Sequence, residues 1–117
     1  MNEYDQEEWD NYDLDLGHNH RLRYFQWDPD LELNPQYEHI REHLSVLKAG
    51  ASVNHLKSDG SLCRGAVHFD LPVLQGVFAK GAKWQVLSWE PLTLAPSLLC
   101  GACGDHGFIR EGKWVVA

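Results

Sequence analysis

With 117 residues, 44% of them hydrophobic and 11% aromatic, the chain carries enough apolar material for one compact core and excludes a multidomain assembly. Its longest apolar runs, Leu98-Leu99-Cys100 and Trp114-Val115-Val116-Ala117, fall far short of the roughly 18 to 20 residues of a membrane-spanning helix. The formal net charge of -7 comes from 17 acidic and 10 basic residues, and it is concentrated at one end.

Residues 1–20 hold Glu3, Asp5, Glu7, Glu8, Asp10, Asp13 and Asp15 and no Lys or Arg, while acids and bases balance over residues 21–117. The division suggests an acidic, aromatic N-terminal segment (1–20) and a single globular body (21–117). Tyr4, Trp9 and Tyr12 are interleaved with the carboxylates, which purely solvating tails rarely show. Two readings stand: an arm covering an edge of its own domain, or a segment that docks these three aromatics on a partner with a basic surface. The body has no basic stripe, which disfavours direct binding of nucleic acid. The first residues show neither the basic nor the apolar region of a secretory signal, so a cytoplasmic setting is expected.

In chain order, Arg21 to Trp27 is rich in β-formers and reads as a strand ended by Pro29. Asn34-Pro35 offers a helix start, and Tyr37, Ile40, Leu44 and Leu47 share one face before Gly50. The spacing predicts a helix over 35–48. His39 and His43 are i, i+4 neighbours on it but lack the H-E-x-x-H context of a metalloprotease, so they read as exposed helix residues.

Beyond the helix the period becomes two. Residues 53–57 and 62–69 flank Ser58-Asp59-Gly60-Ser61, whose Asp-Gly signals a hairpin turn. Residues 73–79 form an apolar stretch, and 83–89 alternate with Trp84, Val86 and Ser88 on one face. A last hairpin runs from Gly107 through Glu111-Gly112 to Val116. The expected fold is α+β: one early helix packed on a mostly antiparallel sheet, with a zinc knuckle leading into a C-terminal β-hairpin.

The knuckle is Cys100-Gly101-Ala102-Cys103-Gly104-Asp105-His106. Two cysteines two residues apart in a Gly-rich turn can point both thiolates at one tetrahedral ion, and His106 follows at a second such step. Cys63 is the remaining cysteine. Cys63, Cys100, Cys103 and His106 would complete a closed Cys3His site holding one structural zinc. His55, eight residues before Cys63 across the turn, is the reserve ligand, and either Cys100 or His106 would then fall out. His68, within a strand, is a weaker candidate. A thioredoxin-like redox pair would want a strand-to-helix junction, whereas this motif leads into a hairpin.

A catalytic zinc would need an open position and a helper, for which Glu90 and Asp105 are the candidates. The zinc-deaminase pattern is absent, because Pro96 is four residues before Cys100 and no H-x-E precedes it. G-x-S-x-G, P-loop and dinucleotide fingerprints are absent as well. No catalytic residue is therefore nominated.

The strings Trp89-Glu90-Pro91-Leu92 through Ser97-Leu98-Leu99-Cys100, Cys103-Gly104-Asp105-His106-Gly107-Phe108-Ile109-Arg110 and Gly112-Lys113-Trp114 resemble the C-terminus of small zinc-binding proteins of actinobacterial phages and prophages. Trp27-Asp28-Pro29 through Pro35-Gln36-Tyr37 and Asp59-Gly60-x-x-Cys63 add to the likeness, which covers about residues 22 to 117. A broader bacterial family shares the Pro-Ser, Cys-x-x-His, Phe-Ile and Gly layout. The resemblance implies that Cys103 and His106 are the core ligands and that Cys100 is an addition. It also implies that Cys63 remains from a first cysteine pair, with His55 as the replacement for its partner. It implies no reaction. The expectation is a non-enzymatic accessory or host-interaction protein, acting on a host or phage protein through Tyr4, Trp9 and Tyr12. A small zinc hydrolase or nuclease is the rival, and an acidic DNA mimic or a virion component is a further alternative.

Overall fold

The computed structural model describes residues 1–25, 48–71 and 83–117. Most of the described chain is antiparallel β-sheet, joined by one short helix. The helix predicted over 35–48 falls, apart from Lys48, outside the described residues, as does the apolar stretch 73–79.

The described helix, α1 (Glu3–Asp10), lies in the acidic segment. Asn2 caps it by accepting a 2.8 Å hydrogen bond from the Asp5 N–H, and Glu3 and Asp5 in the first turn complement the helix dipole. An eight-residue helix is too short to persist alone in water, so α1 depends on what it packs against. β1 (Leu14–Gly17) pairs antiparallel with β2 (His20–Tyr24). The turn between them places His18 and Asn19 at positive φ. Leu16 on β1 is fully buried, so the second half of the acidic segment is an integral strand of the body.

β2 pairs with β3 (Gly50–Leu56), whose far edge carries β4 (Leu62–Cys63) and β5 (Ala66–His68). The Asp59-Gly60 hairpin forms as its sequence predicts. The Asp59 carboxylate accepts from the Ser61 N–H at 2.9 Å and the Ser61 hydroxyl at 2.6 Å, and Gly60 takes a φ of +84°. The strand predicted over 62–69 is interrupted at Arg64-Gly65, where Gly65 and Val53 exchange two 3.0 Å backbone bonds.

The C-terminal half adds two small sheets. β6 (Gln85–Trp89) pairs with β7 (Leu92–Ala95), and β8 (Leu98–Leu99), β9 (His106–Arg110) and β10 (Lys113–Val116) form a three-stranded sheet with β9 in the centre. The β9–β10 turn hangs from β7 through Gly112 N–H to Leu92 C=O, 2.8 Å, and Glu111 N–H to Thr93 Oγ1, 3.0 Å. Leu16, Leu22, Val53, Val67, Phe69, Leu92, Leu94, Leu98, Ile109 and Trp114 join the sheets in one core. Val86 and Ser88 share the half-buried face of β6 as their alternation requires. Among the described residues, no helix is long and apolar enough to cross a membrane.

Candidate metal centre

Strand alternation builds the first half of the site. His55 on β3 stands opposite His20 on β2 and opposite Cys63 on β4. Because directly paired residues project to the same face, His20, His55 and Cys63 form a row across three strands, and all three are buried. The second half comes from the turn joining β8 to β9. Cys100 N–H bonds the Asp105 carbonyl and Gly104 N–H bonds the Cys100 carbonyl, both at 2.8 Å. Gly104 supplies the positive φ of +78° that closes this turn.

These halves bring one histidine and three cysteines together. The donor atoms of His55, Cys63, Cys100 and Cys103 all lie within 4.8 Å of one another. Cys63 Sγ is 3.4 Å from Cys100 Sγ and 4.0 Å from Cys103 Sγ, and His55 Nε2 is 3.1 Å from Cys103 Sγ. A tetrahedron with Zn–S bonds of about 2.3 Å has S···S edges of about 3.8 Å, so the spacings match a metal tetrahedron and far exceed the ~2.05 Å of a disulfide. All three cysteines are free thiols.

The electrostatics differ from ligand to ligand. Burial, reinforced by the neighbouring Cys100 and Cys103 sulfurs, pushes the Cys63 thiol up to about 11. Burial acts the same way on Cys100, but the N–H groups of Ala102 and Cys103 aimed at its sulfur more than offset it and hold the thiol below its usual value. Amide donors folded around a sulfur stabilise the thiolate a metal requires. Burial also lowers the pKa of His55, against an opposing pull from Asp105, which keeps the imidazole in its neutral, ligating form.

His106 is the correction to the sequence-based ligand set. It begins β9 with its side chain on the exposed face, whereas Gly107 and Ile109 turn inward, and its Nε2 lies 2.8 Å from Ser97 Oγ. It is absent from the cluster, whose histidine is His55, the reserve. The C-x2-H step failed as a guide because Gly104 and Asp105 carry the chain away from the knuckle before His106 enters the strand. Glu90, in the turn after β6, belongs to neither group of metal-capable side chains.

Sequence reading missed His20. Its ring lies between the indole of Trp114, 4.0 Å away and nearly parallel, and the ring of His55, 5.1 Å away. Nδ1 faces the His18 carbonyl at 2.6 Å and Nε2 faces Asp105 Oδ2 at 2.6 Å. His20 therefore ties the β1–β2 turn to the knuckle and buttresses the His55 ring. His20, His55 and Asp105 form a second, overlapping group of metal-capable side chains. A cavity of about 160 Å³ opens beside both groups, with His20, Val53, Trp84, Cys100 and Asp105 in its wall. The signal in the sequence was available: His20 follows a His-Asn turn and begins an alternating strand.

The expected partner-docking aromatics divide. Trp9 is only 8% exposed and lies under the guanidinium of Arg21, which also covers Tyr12; it is a packing residue of this domain. Tyr4 and Tyr12 stay exposed.

Comparison with protein-family models, with curated proteins and with solved structures gives no match to this chain.

Proposed function

We propose that the protein is a small non-enzymatic domain stapled by one structural zinc ion, acting through contacts of its surface with another protein. The observation carrying the zinc reading is the closed donor set of His55, Cys63, Cys100 and Cys103. Four protein donors fill a tetrahedral ion and leave no position for water or substrate, which is the pattern of structural rather than catalytic zinc. Three sulfur donors favour a thiophilic ion over magnesium or calcium. The ion would join the β3–β4 hairpin to the β8–β9 knuckle, so its binding free energy becomes folding free energy.

A partner with a basic face fits the outward acids of α1, Glu3, Glu7 and Asp10, together with exposed Tyr4. The likeness to phage and prophage proteins gives this proposal its form, an accessory or host-interaction protein.

Elemental analysis of the purified protein tests the metal. One zinc per chain, lost in Cys63→Ser, Cys100→Ser and Cys103→Ser and retained in His106→Ala, supports the reading. Absence of stoichiometric metal from freshly reduced protein refolded with zinc would overturn it. The rival enzyme reading draws on the His20–Asp105 pair beside the cluster and the adjoining cavity. Zinc-dependent cleavage of an ester or nucleic-acid substrate, abolished by Asp105→Asn with zinc retained, would promote it over the structural reading.

A further inference from the structure

The sheet that carries the metal donors on one face carries the docking site of α1 on the other. Each residue of the row His20, His55 and Cys63 is followed or preceded in the chain by one that reaches α1. Arg21 follows His20, Asn54 precedes His55 and Arg64 follows Cys63. Arg21 and Asn54 are directly paired. Arg64 lies between Cys63, opposite His55, and Gly65, bonded to Val53, and so stands opposite Asn54. Alternation then sends all three side chains to the face away from the metal donors.

There they hold the helix at successive points. Arg64 pairs with Glu8 at 2.6 Å and with Asp5, Asn54 Nδ2 donates to Glu8 Oε1 at 3.4 Å, and Arg21 donates to the Trp9 carbonyl at 3.1 Å while covering its ring at 4.3 Å. The contacts at the Cys63 end are the most exposed to a change of backbone. β4 is a two-residue edge strand with few ladder bonds of its own, and Cys63 is the donor it contributes.

We infer that metal loading on one face controls docking of the acidic helix on the other, making this domain a metal-responsive switch that holds α1 when loaded and releases it when empty. This rests on the zinc reading above. An ion drawing Cys63 toward the knuckle fixes the backbone that aims Arg64 at Asp5 and Glu8. With no ion, β4 is left, among the described residues, to its short hairpin and to Gly65, and the ion pairs lose their fixed base. Release would expose Trp9, and because an eight-residue helix is marginal in water, undocking and unfolding of α1 are one event. Coupling of this kind is reciprocal: the factor by which zinc favours helix docking is the factor by which docking tightens zinc.

Hydrogen exchange at the amides of residues 5–10, followed with and without one equivalent of zinc on the full chain, reads the docking directly. Zinc affinity measured by chelator competition on the wild type, Arg64→Ala and Glu8→Gln reads it from the other side. The expected result is exchange in α1 slowed by about fivefold or more on adding zinc, and zinc affinity weakened by a similar factor in both variants with stoichiometry unchanged. Glu8→Gln alters the helix alone and leaves the sheet intact, so a folding defect from the Arg64 change does not confuse the outcome. Stoichiometric zinc with unaltered α1 exchange, or with wild-type affinity in both variants, overturns the switch and leaves the zinc reading standing. Failure to bind zinc at all overturns both.

Discussion

His55 and Cys63 stand directly opposite each other across the β3–β4 hairpin, each four residues from Asp59 at its tip. This pairing puts an imidazole and a thiol on one face at the separation a single ion needs, and it depends on register alone. One glycine inserted after Gly60 would slip that register and send Cys63 to the opposite face. The expected outcome is loss of stoichiometric zinc while the circular dichroism of the β-sheets is retained; a full complement of zinc in the insertion variant would show that the hairpin register does not build the site.

The two histidines compared in sequence separate in one experiment. His55→Ala removes a buried donor and leaves three thiolates, so zinc affinity should fall by a factor of at least about ten, a magnitude common even for loss of an outer hydrogen-bond partner to a metal ligand. His106→Ala removes surface contacts to Ser97 and Phe108, and its zinc affinity should equal that of the wild type. Competition with a chromogenic chelator distinguishes them.

The cysteines and the hairpins were legible in the sequence because each carries a local rule. Asp59-Gly60 and Glu111-Gly112 mark turns, Cys100 and Cys103 mark a knuckle, and alternation from Trp84 onward marks a strand. The fourth donor was not settled because it depends on which strand lies beside the knuckle, a tertiary fact that a C-x2-H step cannot encode. Burial of Trp9 was hidden for a similar reason. α1 has little apolar periodicity of its own and is held by Arg21, Asn54 and Arg64, which are distant from it in sequence. The short strands β7 and β8 escaped notice because Pro91 and Pro96 interrupt the pattern from which strands are read.

Gly107 is fixed by packing. A Cβ there would lie 2.5 to 2.7 Å from three atoms of the Trp114 indole, closer than any relaxed contact. Gly107→Ala should therefore displace the ring that His20 stacks upon and destabilise the fold by about 1 to 3 kcal/mol, the usual cost of overpacking a core. Chemical denaturation checks this, with His106→Ala as the neighbouring control; equal midpoints for the two variants would show that the indole has room to move.

Acid should weaken both the metal-free fold and metal binding, through different groups. Burial holds His55 below its usual 6.5 in the folded chain. Well above pH 6.5 the imidazole is neutral in both folded and unfolded chains, and its full contribution to stability is present. As the pH falls below that value the unfolded chain takes up a proton that the folded chain does not, so stability drops until the folded pKa is passed. Thermal melts of the metal-free protein on either side of pH 6.5, compared with His55→Ala, test the sign: the wild type should lose more stability than the variant. Cys63, whose thiol sits at about 11, is protonated in the metal-free domain at neutral pH and must give up its proton to bind the ion. Zinc binding should accordingly release protons, visible as a calorimetric enthalpy that varies with the ionisation enthalpy of the buffer, and affinity should rise with pH. A binding enthalpy independent of buffer would mean that the thiols are already ionised, which burial of Cys63 opposes.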